Sequence, residues 1–501
     1  MLNDIFNNIA KCRYCDKSFC FDVAENKSSR KGLATSVSAT CKYCGSGHTS
    51  MTSNTVSDGY EVNLRFVYGM RYIGIGKSAA QIFCALMNLP PPPAKFERLY
   101  TPIFKALETV SSRSMVNNVN EAVIENEHNK NIAIALDGTW QKRGHTSKNG
   151  VVTATSLDNG KVIDFECLSK YCFECKSTNK TCDNCQVNYH GFSAGMESEG
   201  ALRIFSRSLP NYNVRYVHYL GDGDSKGFLR VQESNIYGDE FPVEKLECIG
   251  HVQKRMGARL RALKNNLKST KLSDNKPISG RGRLTDAEIL LLQKYYGLAI
   301  RRNVGKSVAD MSKYIWAIYF HKLSTDENPQ HALCPMGEES WCGYNKSIVS
   351  GEKYTHKHSL PDAVLFKIKK FFRDLTAKEL LLKCLHGRTQ NPNESFNNCV
   401  WNRVPKKTFV SKRTLQMGVM DAVICFNEGS YARTEVLKAL KINPGVNTCE
   451  GFRKIDYVRI CEAEMAVQKA SKEARTTKRQ IKRKQDALEQ SIQDEYSAGK
   501  F

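Results

Sequence analysis

Hydrophobic positions change their period along this chain. From residue 131 they come in short blocks. Ile132-Ala133-Ile134-Ala135-Leu136 runs into Asp137-Gly138-Thr139-Trp140, and Val151 to Leu157 and Lys161 to Leu168 flank Asp158-Asn159-Gly160. Blocks of this kind predict strands, and the Asp-Asn-Gly between two of them predicts a hairpin. Ala201, Leu202, Phe205 and Leu209 then recur at helical spacing. A strand over 214–221 ends in Leu220-Gly221-Asp222-Gly223-Asp224-Ser225. A helix from about Lys226 to Gln232 and a short strand from Val243 to Cys248 follow. Three strands, helix, strand, helix, strand is the resulting order.

On either side the pattern is helical. In residues 61–130, Ser78 and Ala79 open a segment with Ile82, Phe83 and Leu86 on one face, and Pro90 to Pro93 stop it. Thr101 and Pro102 cap and open another, with Ile103, Phe104, Leu107 and Val110 as its stripe. Two short helices about a rigid turn fit a helix-turn-helix DNA reader or a plain packing module equally. Residues 254–385 read as mostly helical, and a further helix opens at Asn391-Pro392-Asn393-Glu394 with Phe396, Cys399 and Val400 on one face. Residues 462–490 form a polar, basic helix without a good apolar stripe.

The expected fold class is therefore α/β. A mixed sheet of ribonuclease H-like strand order is interrupted by a helical insertion, with zinc-binding modules at the N-terminus and in a loop. The expected domains are 1–60 (zinc-ribbon-like), 61–130 (helical), 131–253 (first part of the core, zinc loop 167–190), 254–385 (basic insertion), 386–430 (second part of the core) and 431–501 (basic tail).

Charge narrows the function. The chain has 501 residues with 74 Lys and Arg against 51 Asp and Glu, a formal net charge of +23. That surplus favours a polyanion as partner. Residues 254–306 hold 14 Lys or Arg against three acids. Lys254, Arg255, Arg259, Arg261, Lys264 and Lys268 within them are candidate phosphate contacts, a solvated helix face being the plainer alternative. Lys478-Arg479 and Lys482-Arg483-Lys484 suit a nuclear import signal, a DNA-contacting arm or a charged tail. No apolar run approaches a spanning helix, and Asp4 stands where a secretory signal would be basic and then apolar. A soluble intracellular protein is expected.

The 19 cysteines favour zinc over disulfides, because many sit as Cys-x-x-Cys in a chain without a secretory signal. Cys12, Cys15, Cys41 and Cys44 form one candidate tetrahedral set, with Cys20 and His48 as substitutes. Cys172, Cys175, Cys182 and Cys185 form the tightest set, with His190 in reserve. His331, Cys334 and Cys342, with His356 or His358, form an irregular third. Cys84, Cys384, Cys399, Cys425, Cys449 and Cys461 read as small apolar residues.

Three acids remain. Asp137 and Asp222 end strands and Glu394 opens a helix. Carboxylates gathered at neighbouring element ends suit Mg²⁺, and a pair of such ions suits phosphoryl transfer. Each acid has a plainer reading. Asp137 could be a turn residue, Asp222 and Asp224 turn formers or caps, and Glu394 the third position of a capping box begun by Asn391. Cys248-x-x-His251 is either half of a zinc site or a packed Cys with a hydrogen-bonded His beside the acids.

Taken together, several stretches resemble the Mutator-like transposases of animal, particularly arthropod, genomes. They are Leu136–Trp140, Asn188–Gly200, Gly221–Ser225, Cys248–Arg255 and Thr389–Asn397, and the similarity runs from about residue 30 to about residue 430. The resemblance implies a ribonuclease H-like domain bearing an Asp-Asp-Glu triad, here Asp137, Asp222 and Glu394, with Asp224 as the other choice for the second acid. It implies a Cys-x-x-His accessory pair, here Cys248 and His251, and a helical insertion before the Glu. The implied activity is Mg²⁺-dependent (or Mn²⁺-dependent) cleavage and strand transfer on double-stranded DNA at transposon terminal repeats, in the nucleus, by a homo-oligomeric synaptic complex. Some members look longer at the N-terminus, and a shortened DNA-binding region would weaken recognition of the ends. A silent, transposase-derived zinc and DNA-binding protein is the competing reading. A ribonuclease or other nuclease on the same fold is disfavoured by the helical insertion.

Overall fold

The structure, a computed structural model, describes residues 2–470 apart from residue 57 and residues 143–145, 179–184, 222–225, 338–339 and 357–358. The chain divides into two compact units, residues 1–111 with 424–501, and residues 112–423.

In the first unit, α1 (Leu2–Ile9) precedes a three-stranded antiparallel sheet of β1 (Phe21–Lys31), β2 (Ala34–Cys41) and β3 (Gly47–Met51). A small ladder of β4 (Thr55–Val56) and β5 (Gly59–Tyr60) leads into α2 (Glu61–Tyr72) and α3 (Lys77–Leu86). The β1–β2 turn needs Gly32, at φ +70°, because a Cβ there would lie 2.7 Å from Asn63 Oδ1. Asn63 closes this turn, donating to Lys31 O and accepting from Leu33 N, and so ties α2 to the sheet. On α3 the expected apolar face is exposed: Ile82 is 62% and Leu86 82% accessible, and the helix packs through the smaller Ala80 and Cys84. The helix expected from Thr101 begins at Tyr100 and is long rather than short, α4 (Tyr100–Glu125).

The second unit is built on a five-stranded sheet. β6 (Asn131–Trp140), β7 (Asn149–Ser156) and β8 (Val162–Ser169) form an antiparallel meander. After α5 (Phe173–Thr178) and α6 (Met196–Tyr212), β9 (Arg215–Gly221) joins β6 in parallel; α7 (Lys226–Glu233) then leads to β10 (Glu244–Glu247), parallel to β9. The order across the sheet is β10-β9-β6-β7-β8. Crossover helices between parallel strands must cover a face. Here α6 and α7 bring Met196, Ile204, Phe205 and Phe228 onto Ile132, Ile134, Leu136, Val152 and Tyr219. Close approach of α6 depends on Gly200, where a Cβ would sit 2.4 Å from Val152 Cγ2.

α8 (Ile249–Asn266) starts directly after β10, with Cys248 as its N-cap. With α9 (Asp286–Arg301), α10 (Val308–Leu323), α11 (Gly343–Ser350), α12 (Asp362–Leu375) and α13 (Lys378–Leu382) it belongs to the helical part of this unit. A core of Val252, Met256, Leu292, Tyr296, Ile315, Ile368 and Phe372 holds α8, α9, α10 and α12 together. The chain then returns to the sheet with α14 (Asn391–Arg403), followed by α15 (Lys412–Glu428). In the first unit, α16 (Arg433–Ala439) and α17 (Val446–Ala470) complete the described chain, and α17 starts earlier than the basic helix expected from 462. Among the described residues no helix is long and apolar enough to cross a membrane.

Candidate active site and metal centres

Asp137 was expected at a strand end. In fact β6 continues to Trp140, because Asp137 to Trp140 still pair with β7. The parallel pairing with β9 stops at Ala135, opposite Leu220. Asp137 therefore stands where β6 has lost one neighbour. Its carboxyl is pushed up to about 6, first by burial and then by the negative charge of Glu394, with His251 and a hydrogen bond from Asn397 opposing. Asn397 Nδ2 donates to Asp137 Oδ2 at 2.7 Å across 260 positions of sequence.

Glu394 lies on the first turn of α14 with its side chain 53% exposed, and its Oε1 is 3.8 Å from His251 Nε2. The capping-box reading is corrected. Gln390, not Asn391, precedes the helix, and it makes no side-chain cap. Its amide instead reaches the sheet, donating to Leu136 O at 2.7 Å. Asn393, fully buried, donates to Ala135 O and Thr153 O and accepts from Thr155 Oγ1. Trp401 Nε1 donates to Thr139 Oγ1. Gln390, Asn393, Asn397 and Trp401 form one stripe along the helix, and this polar stripe docks α14 across β6 and β7. None of these four carried a role in the sequence reading. A run of amides spaced for one helix face is the signal that could have found them.

The Cys248–His251 pair splits. Cys248 is 3% exposed, packs with Ala135, Leu157 and Leu220, and its Sγ accepts from Gln390 N at 3.4 Å. Among the described residues it belongs to no metal-competent group. His251 faces Glu394, which matches the alternative of a packed Cys and a His beside the acids. Asp222 and Asp224 lie outside the described residues.

Of the candidate phosphate contacts, three are engaged by carboxylates: Arg255 with Glu247, Arg259 with Asp374 and Lys264 with Asp286. Lys254, Arg261 and Lys268 are exposed on or just after α8.

The cysteine sets are drawn together as follows. Cys12, Cys15, Cys41 and Cys44 have all four sulfurs within 4.8 Å of one another. Cys12 and Cys44 are 3.6 Å apart and Cys15 and Cys41 3.7 Å. Zn–S bonds of about 2.3 Å at tetrahedral angles place sulfurs about 3.8 Å apart. Left-handed residues, Asp16 at φ 54° and Gly45 at φ 72°, close the two knuckles. Hydrogen bonding, from Ser46 first, holds the Cys12 thiol down at about 6, favouring the thiolate a metal needs. Cys20 packs beside the set but bonds Lys17 O, and neither it nor His48 is a member. Cys172, Cys175 and Cys185 converge likewise, with Cys175 and Cys185 3.5 Å apart; Cys182 is outside the described residues, and His190 is not in the group. The irregular third set also assembles. His331, Cys334 and Cys342 come together with His321, which the sequence reading missed. His356 stands behind His331 rather than in the group, and His358 is outside the described residues.

The sequence model of the family described as Mutator-like transposase matches residues 1–342, so α14 and Glu394 lie beyond the matched stretch. No curated protein matches the chain.

Proposed function

Because this chain belongs to the Mutator-like transposases, we propose that it is the enzyme that cleaves transposon ends and joins them to target DNA, with Asp137, Asp222 and Glu394 as its acidic triad. The observation that carries the reading is the pairing of Asp137 with Glu394. A strand residue and a helix residue, remote in sequence, come close enough for the charge of Glu394 to raise the Asp137 carboxyl, with His251 3.8 Å from Glu394. The second acid of this proposal follows β9, whose pairing with β6 runs to Leu220 opposite Ala135, and Asp224 remains the other choice for it. A ribonuclease H-like assignment of the sheet is supported by its central β6, antiparallel to β7 and parallel to β9, with the acid-bearing α14 docked across it.

The donor set fits a hard divalent cation. Two carboxylates share the pocket, and the buried Asn397 Oδ1 has no hydrogen-bond partner among the described residues. Magnesium, held by the triad, would supply charge neutralisation at the phosphate and a water of lowered pKa. The chain's own residues hold the geometry. Asn397 fixes the orientation of Asp137, His251 restrains Glu394, and the amides of Gln390 and Asn393 set the depth of α14 on the sheet. Lys254, Arg261 and Lys268 are the residues of α8 and its exit free to meet phosphates, while Arg255, Arg259 and Lys264 brace the helix. Zinc in the Cys12/Cys15/Cys41/Cys44 set and in the Cys172 loop would be structural. A nuclear location and a synaptic homo-oligomer belong to the same proposal.

The second reading, a silent derivative that binds DNA without cutting it, draws on the cysteine sets and the positive charge, which serve binding without cleavage. Mg²⁺-dependent nicking of DNA carrying the element's own ends separates the two. Those ends are found as inverted repeats bounded by short direct duplications in the genomic flanks. The wild-type protein should nick, and Asp137→Ala should bind the same DNA without cutting it. Unchanged cutting by Asp137→Ala removes the triad assignment, and binding without cutting by the wild type establishes the silent reading.

A further inference from the structure

The helical insertion holds four soft ligands at one point. His321 comes from the last turn of α10, His331 and Cys334 from the irregular segment after it, and Cys342 from the N-cap of α11. Five of the six edges between their ligand atoms are short. His321 Nδ1 and His331 Nδ1 are 3.2 Å apart. His331 Nδ1 is 3.4 Å from Cys342 Sγ and 3.8 Å from Cys334 Sγ. His321 Nδ1 is 3.8 Å from Cys334 Sγ and 3.9 Å from Cys342 Sγ. Tetrahedral Zn²⁺ with Zn–N about 2.05 Å and Zn–S about 2.3 Å demands about 3.3 Å between nitrogens and about 3.6 Å between nitrogen and sulfur. A hydrogen-bonded cluster does not account for this. Two imidazole Nδ1 atoms can share one proton between them, and thiols are weak donors and weak acceptors. Here all four atoms face each other, and Cys342, Cys334 and His331 are at most 5% exposed.

A second layer fixes the proton positions. His331 Nε2 lies 2.7 Å from His356 Nε2, and His356 Nδ1 lies 2.6 Å from Asp326 Oδ1. With His331 Nδ1 on a metal, its Nε2–H has His356 Nε2 and Ser324 Oγ, 2.9 Å away, as acceptors, and His356 Nδ1–H donates to the Asp326 carboxylate. Tyr344 stacks on the His331 ring at 4.3 Å and holds its plane. Carboxylate-backed histidines of this kind orient metal ligands and raise their basicity.

We propose that the insertion carries its own structural zinc, bound by Nδ1 of His321, Nδ1 of His331 and the thiolates of Cys334 and Cys342, with His356 and Asp326 as its outer layer. Zinc suits two thiolates and two imidazoles in a closed tetrahedron. The site pins the described residues between α10 and α11, which form little regular structure of their own, and it stands whether or not the transposase reading does.

Zinc content of the purified full chain tests it. His321→Ala and Cys334→Ser should each hold one zinc fewer per chain than the wild type, and an unchanged count overturns the proposal. His356→Ala should keep the count but bind zinc about 10- to 100-fold more weakly in competition with a chelator. Unaltered affinity there removes the outer layer. Should the alanine variant fail to fold, His321→Cys substitutes one ligand for another. Cobalt-loaded, it should show a stronger thiolate-to-cobalt charge-transfer band than the wild type, and an identical band overturns the assignment of His321.

Discussion

Asp137 sits in a pocket where a second carboxylate faces it and one amide, from Asn397, holds it. Removing that amide leaves the acid in place but free to turn. Asn397→Ala is expected to lower Mg²⁺-dependent cleavage by about 10- to 100-fold, the usual cost of losing a group that orients a metal ligand. DNA binding at low Mg²⁺ should be unchanged, and a gel-shift assay beside a nicking assay reads both. At this scale the place of Asp137 in a strand was legible, since an apolar run leads into Asp137-Gly138. The role of Asn397 was not, because its partner lies 260 positions away and an exposed Asn in a helix looks the same in sequence. His321 escaped for a like reason: it is an ordinary residue of α10 until the loop folds back on it.

At the scale of elements, α14 is docked by amides where most helices use apolar side chains. Asn393 serves two sheet carbonyls and a threonine from a fully buried position. Asn393→Ala leaves these groups without their partner and should cost about 2 kcal/mol or more, read as a lower urea midpoint. The segment entering α14 is held by His386. Its Nε2–H donates to Glu247 O and Lys383 O, and its Nδ1 accepts from Arg388 N, which requires the neutral ring. Burial, opposed by those backbone bonds, lowers its pKa below the usual 6.5. A histidine with a depressed folded value contributes stability that is present above 6.5 and lost as pH falls toward the folded value. The wild type should therefore lose stability between pH 7 and pH 5.5 more steeply than His386→Asn, in denaturation midpoints compared pairwise. The run of strands along the chain and the hairpin were readable from short apolar blocks and from Asp-Asn-Gly. The apolar stripe of α3 was legible but its exposure was not, because periodicity identifies an apolar face without saying whether anything covers it.

For the whole molecule, the charge of +23 sets the partner class and the ion pairs decide which cations remain for it. Binding to duplex DNA should weaken with salt, and each phosphate contact contributes about 0.9 to the slope of log K against log salt. Replacing Lys254, Arg261 and Lys268 together by Ala should reduce that slope by about 2 to 3. Lys264→Ala, which loses its partner Asp286, should leave it nearly unchanged. Fluorescence anisotropy across a salt series measures both.

By itself the sequence determined the local matters: the strands and helices from 131 to 248, the family, the cysteine knuckles at 12–15 and 41–44, and the acids worth suspecting. These depend on neighbours a few residues apart, and side-chain period and short motifs record such neighbours directly. Tertiary structure alone decided which residues meet. It set Glu394 against His251, hung α14 on the sheet by its amides, bound three of the six candidate phosphate contacts to carboxylates, and added His321 to a four-ligand cluster. Such contacts are specified by packing across a hundred or more intervening residues, and no repeat in the chain encodes them.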